Sequence, residues 1–147
     1  KVIYSDPYME KAEVKVDFFD GQEVSFKFES KPKEEVLAEA DFITLHVPAQ
    51  KEYVIGKAEI EKMKDGAALV NAARGGVVDE LALIESLDAG KLAFAALDVF
   101  ESEPKPEIKI LMHPKISLSP HIGAATNEAQ DRIGVELADQ IASILKG

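Results

Sequence analysis

Polar and ionisable side chains follow several short apolar stretches of the sequence, at the points where strands would end. The stretch LVNAARGG, residues 69–76, runs from an apolar strand directly into Arg74 and two glycines. A guanidinium can hold a carboxylate in a fixed orientation, and glycine lets backbone amides approach a ligand closely. Arg74 is therefore a candidate for binding an anionic small molecule. The other polar residues that follow apolar stretches are Asp6, His46, Asn71, Asp98, Ser119 and His121.

Each of these residues also has a purely structural interpretation. Arg74 could cap a helix or pair with an acid a few residues later, and His121, after a proline, could be a hydrogen-bonded loop residue. Glu103 beside two prolines is typical of a solvated acid, and Asp6 before a proline is a common turn former. His46 is interpreted as structural. Their joint occurrence at strand ends favours a functional site.

The elements that would position these side chains alternate along the chain. Apolar runs of strand length are separated by longer amphipathic stretches, which is the pattern of a parallel sheet covered by helices. We therefore predict an α/β fold, with the polar residues at the carboxyl edge of the sheet, where ligands bind. The segment 12–30 alternates around Asp20 and Gly21, which predicts an added β-hairpin. Strands are predicted at 1–6, 41–48, 67–73, 93–100 and 115–123, and helices at 31–40, 57–66, 79–90 and 127–147.

Helix ends and apolar faces are also predicted. Asp79 is expected to be an N-cap, Gly66 and Gly90 are expected to end their helices, and the prolines after Glu103 predict a loop. The predicted apolar faces comprise Leu81, Leu83, Ile84 and Leu87 in one helix and Ile133, Leu137, Ile141 and Leu145 in the last.

Composition limits the classes of function. The 147 residues, 46% of them hydrophobic, suffice for one domain and its core. The formal net charge of −10 with scattered basic residues argues against nucleic acid and acidic membranes as partners. We find no transmembrane run, no signal peptide and no indication of a metal site. The absence of cysteine is typical of a reducing cytoplasm, which is the expected location.

The stretch VNAARGGVVDELALIESLDAGKLAFAALDVFESEP, followed by SPHIGAAT, closely resembles the cofactor-binding domain of the NAD-dependent D-2-hydroxyacid dehydrogenases, especially members acting on D-3-phosphoglycerate. The resemblance covers nearly the whole chain except the segment around 12–30. It implies a Rossmann-type, doubly wound parallel sheet, NAD as the cofactor, and a small 2-hydroxy or 2-oxo acid as the substrate.

The resemblance also implies roles for individual residues. Arg74 would bind and polarise the substrate, His121 would be the general acid and base, and Glu103 would hydrogen-bond that histidine. A histidine suits this role because its pKa lies near neutrality, and an adjacent carboxylate fixes its tautomer. Asp6 would bond the ribose hydroxyls and favour NAD over NADP. The nicotinamide end would be lined by Ala72, Ala73, Arg74, Asp98, His121, Ile122, Gly123 and Ala124.

The sequence departs from the family pattern at its start. The glycine fingerprint that binds the pyrophosphate is absent, since no glycine precedes Gly21. We therefore expect residues 1–147 to be a partial NAD-binding domain, incomplete at its N-terminal side. A preceding segment of the same protein would supply the first strand and glycine turn, and the substrate domain would also lie elsewhere. The hairpin near 12–30 is expected to be a decoration, with contact to the adenine end or a neighbouring subunit as the alternative. The resemblance implies a homodimer or larger assembly.

Three functions remain open from the sequence. The first is a D-2-hydroxyacid dehydrogenase that oxidises D-3-phosphoglycerate in serine synthesis, with glyoxylate, hydroxypyruvate or D-lactate as alternative substrates. The second is a non-catalytic NAD(H)-binding protein similar to transcriptional corepressors, because fold does not settle function. The third, a domain without a ligand, leaves the polar residues at the strand ends unexplained.

Overall fold

The computed structural model describes residues 1–146 of the chain. Helices and strands alternate along most of this range. The strands are β1 Lys11–Asp17, β2 Glu23–Glu29, β3 Phe42–Leu45, β4 Ala67–Asn71, β5 Leu92–Leu97 and β6 Ile116–Leu118, and the helices are α1 Lys33–Glu39, α2 Lys57–Lys62, α3 Glu80–Asp88, α4 Ile108–Leu111 and α5 Asn127–Lys146.

The main sheet has four parallel strands in the order β3, β4, β5, β6. Because consecutive strands are adjacent and parallel, all four end at the same edge, and each connection must return along the sheet. These connections contain α2, α3 and α4. The arrangement confirms the predicted α/β class with a parallel sheet.

One hydrophobic core lies between this sheet and helices α1 to α4. Ile43 and Leu45 of β3 alternate with the exposed Phe42 and Thr44, so only one side of that strand faces the core. On the opposite face, Phe42 of β3 and Phe94 of β5 lie on either side of Ala68 of β4, with their rings 6.1 Å apart and both side chains exposed. The core side chains include Leu37, Ile60, Leu69, Leu83, Leu87, Leu92, Leu97 and Ile110.

The ends of α3 lie where the sequence predicts them. The Asp79 carboxylate accepts a hydrogen bond from the Ala82 backbone N–H at 2.9 Å, which makes it the N-cap. Gly90 has a φ of 75° one residue beyond the C-cap, a conformation that glycine adopts at little cost. These two residues therefore mark the start and the end of α3.

Three local predictions are wrong. Residues 1–6 form no strand, since the backbone pairing there is one isolated bridge between Tyr4 and Ser30. Helix α2 ends at Lys62 rather than at Gly66, because the chain leaves helical geometry at Met63 and Gly66 lies in the turn that enters β4. Leu81 is 60% exposed and does not belong to the buried face of α3.

The predicted hairpin near 12–30 is confirmed as the antiparallel pair β1 and β2. Its turn uses Gly21 at a φ of 83° and a hydrogen bond from the Phe18 N–H to the Gln22 carbonyl. One face carries charged pairs such as Lys15 with Glu23, and the other face carries apolar pairs that remain partly exposed. The apolar pairs are Ala12 with Phe28, Val14 with Phe26, and Val16 with Val24.

The last helix, α5, has an exposed apolar side. Ile133, Leu137 and Ile141 are each about half exposed, so the predicted apolar face of this helix is not buried in the described structure. Between residues 1 and 146, none of the helices has the length and apolar character needed to cross a membrane.

Candidate active site

The carboxyl edge of the parallel sheet gathers the polar residues that end its strands. His46 follows β3, Asn71 ends β4, Asp98 directly follows β5, and Ser119 directly follows β6. Arg74 and His121 lie a few residues beyond their strands in the same loops. The site is therefore built from loops whose starting points are fixed by the sheet.

Asn71 shapes the loop that carries Arg74. Its buried side chain accepts a hydrogen bond from the Ala73 N–H and donates one to the Arg74 carbonyl, both at 3.1 Å. One guanidinium nitrogen of Arg74 donates to the Ala73 carbonyl at 2.6 Å, and the side chain is exposed. The sequence places Asn71 at this edge but gives no indication that its amide organises the loop.

Gly75 makes a close approach to the backbone that follows β5. A Cβ atom built on Gly75 would lie 1.9 Å from the Phe100 carbonyl oxygen, a distance that no side chain can occupy. Glycine is thus required at position 75 because the loop backbone contacts the backbone of Phe100. The sequence had instead suggested that this glycine lets backbone amides approach a ligand. Gly76 has a φ of 76° and open space around it, so its glycine serves the turn.

Asp98 holds together the turn that carries His121. Its Oδ1 accepts hydrogen bonds from the Ser119 hydroxyl at 2.6 Å and the Ile122 N–H at 2.9 Å, and its Oδ2 accepts one from the Gly123 N–H at 2.7 Å. Burial would raise the pKa of this carboxyl, but these hydrogen bonds outweigh burial and hold the pKa of Asp98 below its ordinary value. His121 lies between the bonded residues, with a φ of 54°.

His121 and Glu103 form a hydrogen-bonded pair. The Nδ1 atom of His121 lies 2.8 Å from Oε2 of Glu103, and Oε1 of Glu103 accepts the Phe100 N–H at 3.0 Å. The hydrogen bond from His121 is the main reason why the pKa of Glu103 lies below its ordinary value. An ionised Glu103 accepts the Nδ1–H of the imidazole, which leaves Nε2 as the nitrogen that can take or give a proton.

The pair borders a cavity of about 430 Å³ at the carboxyl edge. Prolines and aliphatic side chains make up much of the lining beside the two ionisable groups. The lining residues include Phe100, Glu103, Pro104, Leu118, Pro120 and His121.

The other candidate residues are distributed around this edge. Ala73 is buried, whereas Ala72, Ile122, Gly123 and Ala124 are exposed. Within residues 1–146, no hydrogen bond joins Arg74 to His121 or Glu103. The same described range contains no group of three histidine or acidic side chains that could hold a metal ion.

Asp6 lies in the segment next to the hairpin. Its Oδ1 accepts the Tyr8 N–H at 2.7 Å and the Met9 N–H at 3.1 Å, and its own N–H donates to the Ser30 hydroxyl at 2.9 Å. The carboxylate therefore stabilises the turn after Pro7, as its position before a proline suggests, and Oδ2 takes no part in these bonds.

The bonds at Asp98 lead to a first prediction. Replacing Asp98 with asparagine is expected to destabilise the protein by about 2 kcal/mol. Both carboxylate oxygens of Asp98 accept hydrogen bonds, and in asparagine one of them becomes an NH₂ group, which cannot accept. Because the folded pKa of Asp98 is depressed, its stabilisation is present above the ordinary value near 3.8 and is lost as the pH falls through the folded pKa. The difference in denaturation midpoint between wild type and Asp98→Asn should therefore shrink below about pH 4.

Asp88→Asn is the matched control for this prediction. Asp88 is an exposed acid whose carboxylate contacts His113 at 3.3 Å, so its change should cost less than about 0.5 kcal/mol. Equal midpoints for Asp98→Asn and Asp88→Asn at pH 7 would contradict the role of Asp98 in holding the turn.

Several known proteins are similar to this chain in sequence. The family model for the NAD binding domain of D-isomer specific 2-hydroxyacid dehydrogenases matches residues 1–123. The D-3-phosphoglycerate dehydrogenase of Archaeoglobus fulgidus is 51% identical over 115 residues, which is 76% of this chain and 22% of that protein. The hydroxypyruvate reductase of Thermotoga maritima is 41% identical over 146 residues, which is 96% of this chain and 44% of that protein.

A solved structure shows the same fold. The glyoxylate reductase from Paecilomyes thermophila superposes with a TM-score of 0.71 at 37% identity, and the match covers 79% of this chain and 36% of that one. The chain thus spans between about a fifth and under half of the length of these relatives.

Proposed function

The chain belongs to the NAD-binding domain family of the D-isomer specific 2-hydroxyacid dehydrogenases, and on that premise we propose that the whole protein transfers a hydride between a D-2-hydroxy acid and NAD. The observation that carries this proposal is the 2.8 Å contact between His121 Nδ1 and Glu103 Oε2 at the carboxyl edge of the sheet. A hydroxyl group that is oxidised to a carbonyl must lose its proton as well as a hydride, so the reaction needs a base beside the substrate.

His121 is the proposed base. With Glu103 accepting the Nδ1–H, the imidazole presents Nε2 to the substrate hydroxyl and takes its proton there, and the carboxylate stabilises the resulting imidazolium. In the reducing direction the same nitrogen returns the proton to the carbonyl oxygen. The lowered pKa of Glu103 keeps this carboxylate ionised at neutral pH, so it can act in both directions.

Arg74 is proposed to bind the substrate carboxylate. Its side chain is exposed at the same edge, and one of its nitrogens is engaged with the Ala73 carbonyl, which orients the planar group. The remaining donors of the guanidinium suit a bidentate contact with a carboxylate.

The residues at this edge fit the nicotinamide end of NAD, which supplies the hydride acceptor when bound. The Asp98 carboxylate has about four lone-pair positions and accepts three hydrogen bonds, so Oδ2 can accept one more, from a carboxamide. Asp6 Oδ2 is the oxygen proposed to accept from the ribose hydroxyls. The proposed lining of the nicotinamide end is Ala72, Ala73, Arg74, His121, Ile122, Gly123 and Ala124.

D-3-phosphoglycerate is the proposed substrate, and serine biosynthesis is the proposed role. The identity of 51% to the Archaeoglobus fulgidus enzyme supports this choice. Hydroxypyruvate is the second candidate, because the Thermotoga maritima reductase matches 96% of this chain. We further propose that the remaining parts of the cofactor and substrate sites come from the rest of the protein, which acts in the cytoplasm as a homodimer or larger assembly.

The test is NADH formation by the whole protein with D-3-phosphoglycerate, in parallel with NADH consumption with hydroxypyruvate. A kcat/KM higher for phosphoglycerate than for other D-2-hydroxy acids supports the first candidate. Turnover of hydroxypyruvate alone supports the second, and no turnover of any 2-hydroxy or 2-oxo acid contradicts the proposed activity.

Arg74→Ala is expected to lower kcat/KM for the hydroxy acid by roughly a hundredfold, since two charge-assisted hydrogen bonds are together worth about 3 kcal/mol. Arg74→Lys should give an intermediate loss, because a lysine keeps the charge but lacks the planar fork. Arg132→Ala, which changes an arginine on α5, is the matched control and should retain wild-type kinetics. Wild-type kcat/KM in Arg74→Ala would refute the assignment.

A further inference from the structure

Two carboxylates outside the His121 and Glu103 pair exchange hydrogen bonds with each other's backbone. Oε1 of Glu80 accepts the Glu101 N–H at 2.8 Å, and Oε1 of Glu101 accepts the Glu80 N–H at 2.9 Å. Glu80 is only 7% exposed, although it is a charged residue type, and it begins α3. These two hydrogen bonds connect the first residue of α3 to the loop that follows β5.

The loop after β5, which Glu80 contacts, also contains Glu103. Phe100 donates its N–H to Glu103 Oε1 at 3.0 Å, and the next residue, Glu101, donates its N–H to Glu80. Two consecutive backbone N–H groups are therefore held by two different carboxylates, that of Glu103, which contacts His121, and that of Glu80 from α3. The Tyr53 hydroxyl also contacts Glu101, at 3.3 Å from Oε2, so the loop that contains Tyr53 meets the same residue.

We propose that Glu80 is a positioning residue for the His121 and Glu103 pair, acting through the backbone of Glu101. Its carboxylate fixes the turn from Phe100 to Glu103, and that turn sets the direction from which Glu103 meets the Nδ1–H of His121. The catalytic consequence of this positioning rests on the proposed dehydrogenase function. The structural consequence, an ordered hydrogen bond at His121, does not.

The environment of Glu80 suggests how to test its acceptor separately from its charge. Burial raises the pKa of Glu80, and the nearby charge of Glu101 adds to the increase, while the Glu101 N–H opposes both. A glutamine keeps an oxygen acceptor of the same reach without a charge. An aspartate keeps the charge but withdraws the acceptor by one methylene, and an alanine removes the acceptor.

The experiment compares Glu80→Gln, Glu80→Asp and Glu80→Ala in the whole protein. The first readout is the downfield NMR resonance of the His121 Nδ1–H in protein labelled with ¹⁵N-histidine, assigned by its loss in His121→Ala. We expect this resonance to persist in Glu80→Gln and to broaden by exchange with water in the other two. The second readout is kcat, expected to fall by about ten- to a hundredfold in Glu80→Asp and Glu80→Ala with an unchanged KM for NAD.

Ser86→Ala is the matched control. Ser86 is as buried as Glu80 and lies in the same helix, and its hydroxyl donates to the Leu83 carbonyl of that helix rather than to the loop after β5, so Ser86→Ala removes a buried hydrogen bond within α3. A wild-type resonance in Glu80→Asp and Glu80→Ala would overturn the proposal, and so would equal broadening in Ser86→Ala or in Glu80→Gln. If Glu80→Ala does not fold, the comparison of Glu80→Asp with Glu80→Gln decides.

Failure of the proposed function gives a different pattern. A wild-type protein that oxidises no 2-hydroxy acid, but shows the expected NMR differences, retains the positioning role and loses the dehydrogenase assignment. An active protein whose His121 resonance does not respond to Glu80→Asp or Glu80→Ala loses only the positioning role.

Discussion

Replacing His121 with alanine is expected to lower kcat by about 10²- to 10⁴-fold, the range that a positioned general acid or base contributes. The imidazole supplies the only proposed proton acceptor for the substrate hydroxyl, and Glu103 holds it by a 2.8 Å contact to Nδ1. The KM for NAD should change little, because the proton transfer acts on the substrate. The measurement is steady-state kinetics of the whole protein with D-3-phosphoglycerate and with hydroxypyruvate.

His46→Ala is the control for this loss. His46 lies at the same edge of the sheet, but its Nε2 contacts the Thr44 hydroxyl at 3.1 Å, and its removal should leave kcat within about twofold of wild type. Full activity in His121→Ala would show that another group takes the proton. Equal losses in His121→Ala and His46→Ala would show that the edge is sensitive to any histidine removal.

The main features of the fold could be predicted from the sequence because their causes are local. The hairpin depends on alternation around Asp20 and Gly21, and the start of α3 depends on Asp79, whose side chain bonds a backbone N–H three residues later. The common edge of the parallel strands then follows from their connections alone. These relations need no knowledge of distant parts of the chain.

Where partners are distant in sequence, the predictions are incomplete or wrong. Residues 1–6 are apolar enough for a strand, but a strand also requires a neighbouring strand along its length. The backbone pairing of this segment is a single bridge between Tyr4 and Ser30. Helix α4 was not predicted, because its four residues are too few for a detectable period. Leu81 is apolar and correctly spaced, but its side chain is 60% exposed.

In the candidate site, too, some features could be predicted from local sequence and others depend on residues distant in the chain. The types and order of Arg74, Glu103 and His121 indicate the chemistry, and their nearness to strand ends indicates the edge. The three groups that donate hydrogen bonds to Asp98 belong to residues 21 to 25 positions later in the sequence. The role of Asp98 in shaping the His121 turn therefore could not be predicted from the sequence. The bonds between Glu80 and Glu101 also span 21 positions and could not be predicted.

Gly75→Ala is expected to destabilise the protein by about 3 kcal/mol, the upper part of the range for overpacked substitutions. The added Cβ would lie 1.9 Å from the Phe100 carbonyl oxygen and 2.6 Å from its carbon, so backbone must move on one side of the contact. Because Phe100 also donates its N–H to Glu103, that movement should disturb the Glu103 and His121 pair as well. Both the denaturation midpoint and kcat should therefore fall.

Gly76→Ala separates this steric effect from the general cost of losing a glycine. Gly76 has a positive φ of 76° but no atom within 4 Å of an added Cβ, so alanine there should cost only about 1 to 2 kcal/mol, through backbone conformation. A Gly75→Ala protein that is as stable as Gly76→Ala and retains wild-type kcat would show that the two loops can separate without consequence. The reverse result would establish that the glycine after Arg74 allows the loops beyond β4 and β5 to meet, which brings the proposed substrate-binding arginine beside the loop that bears Glu103.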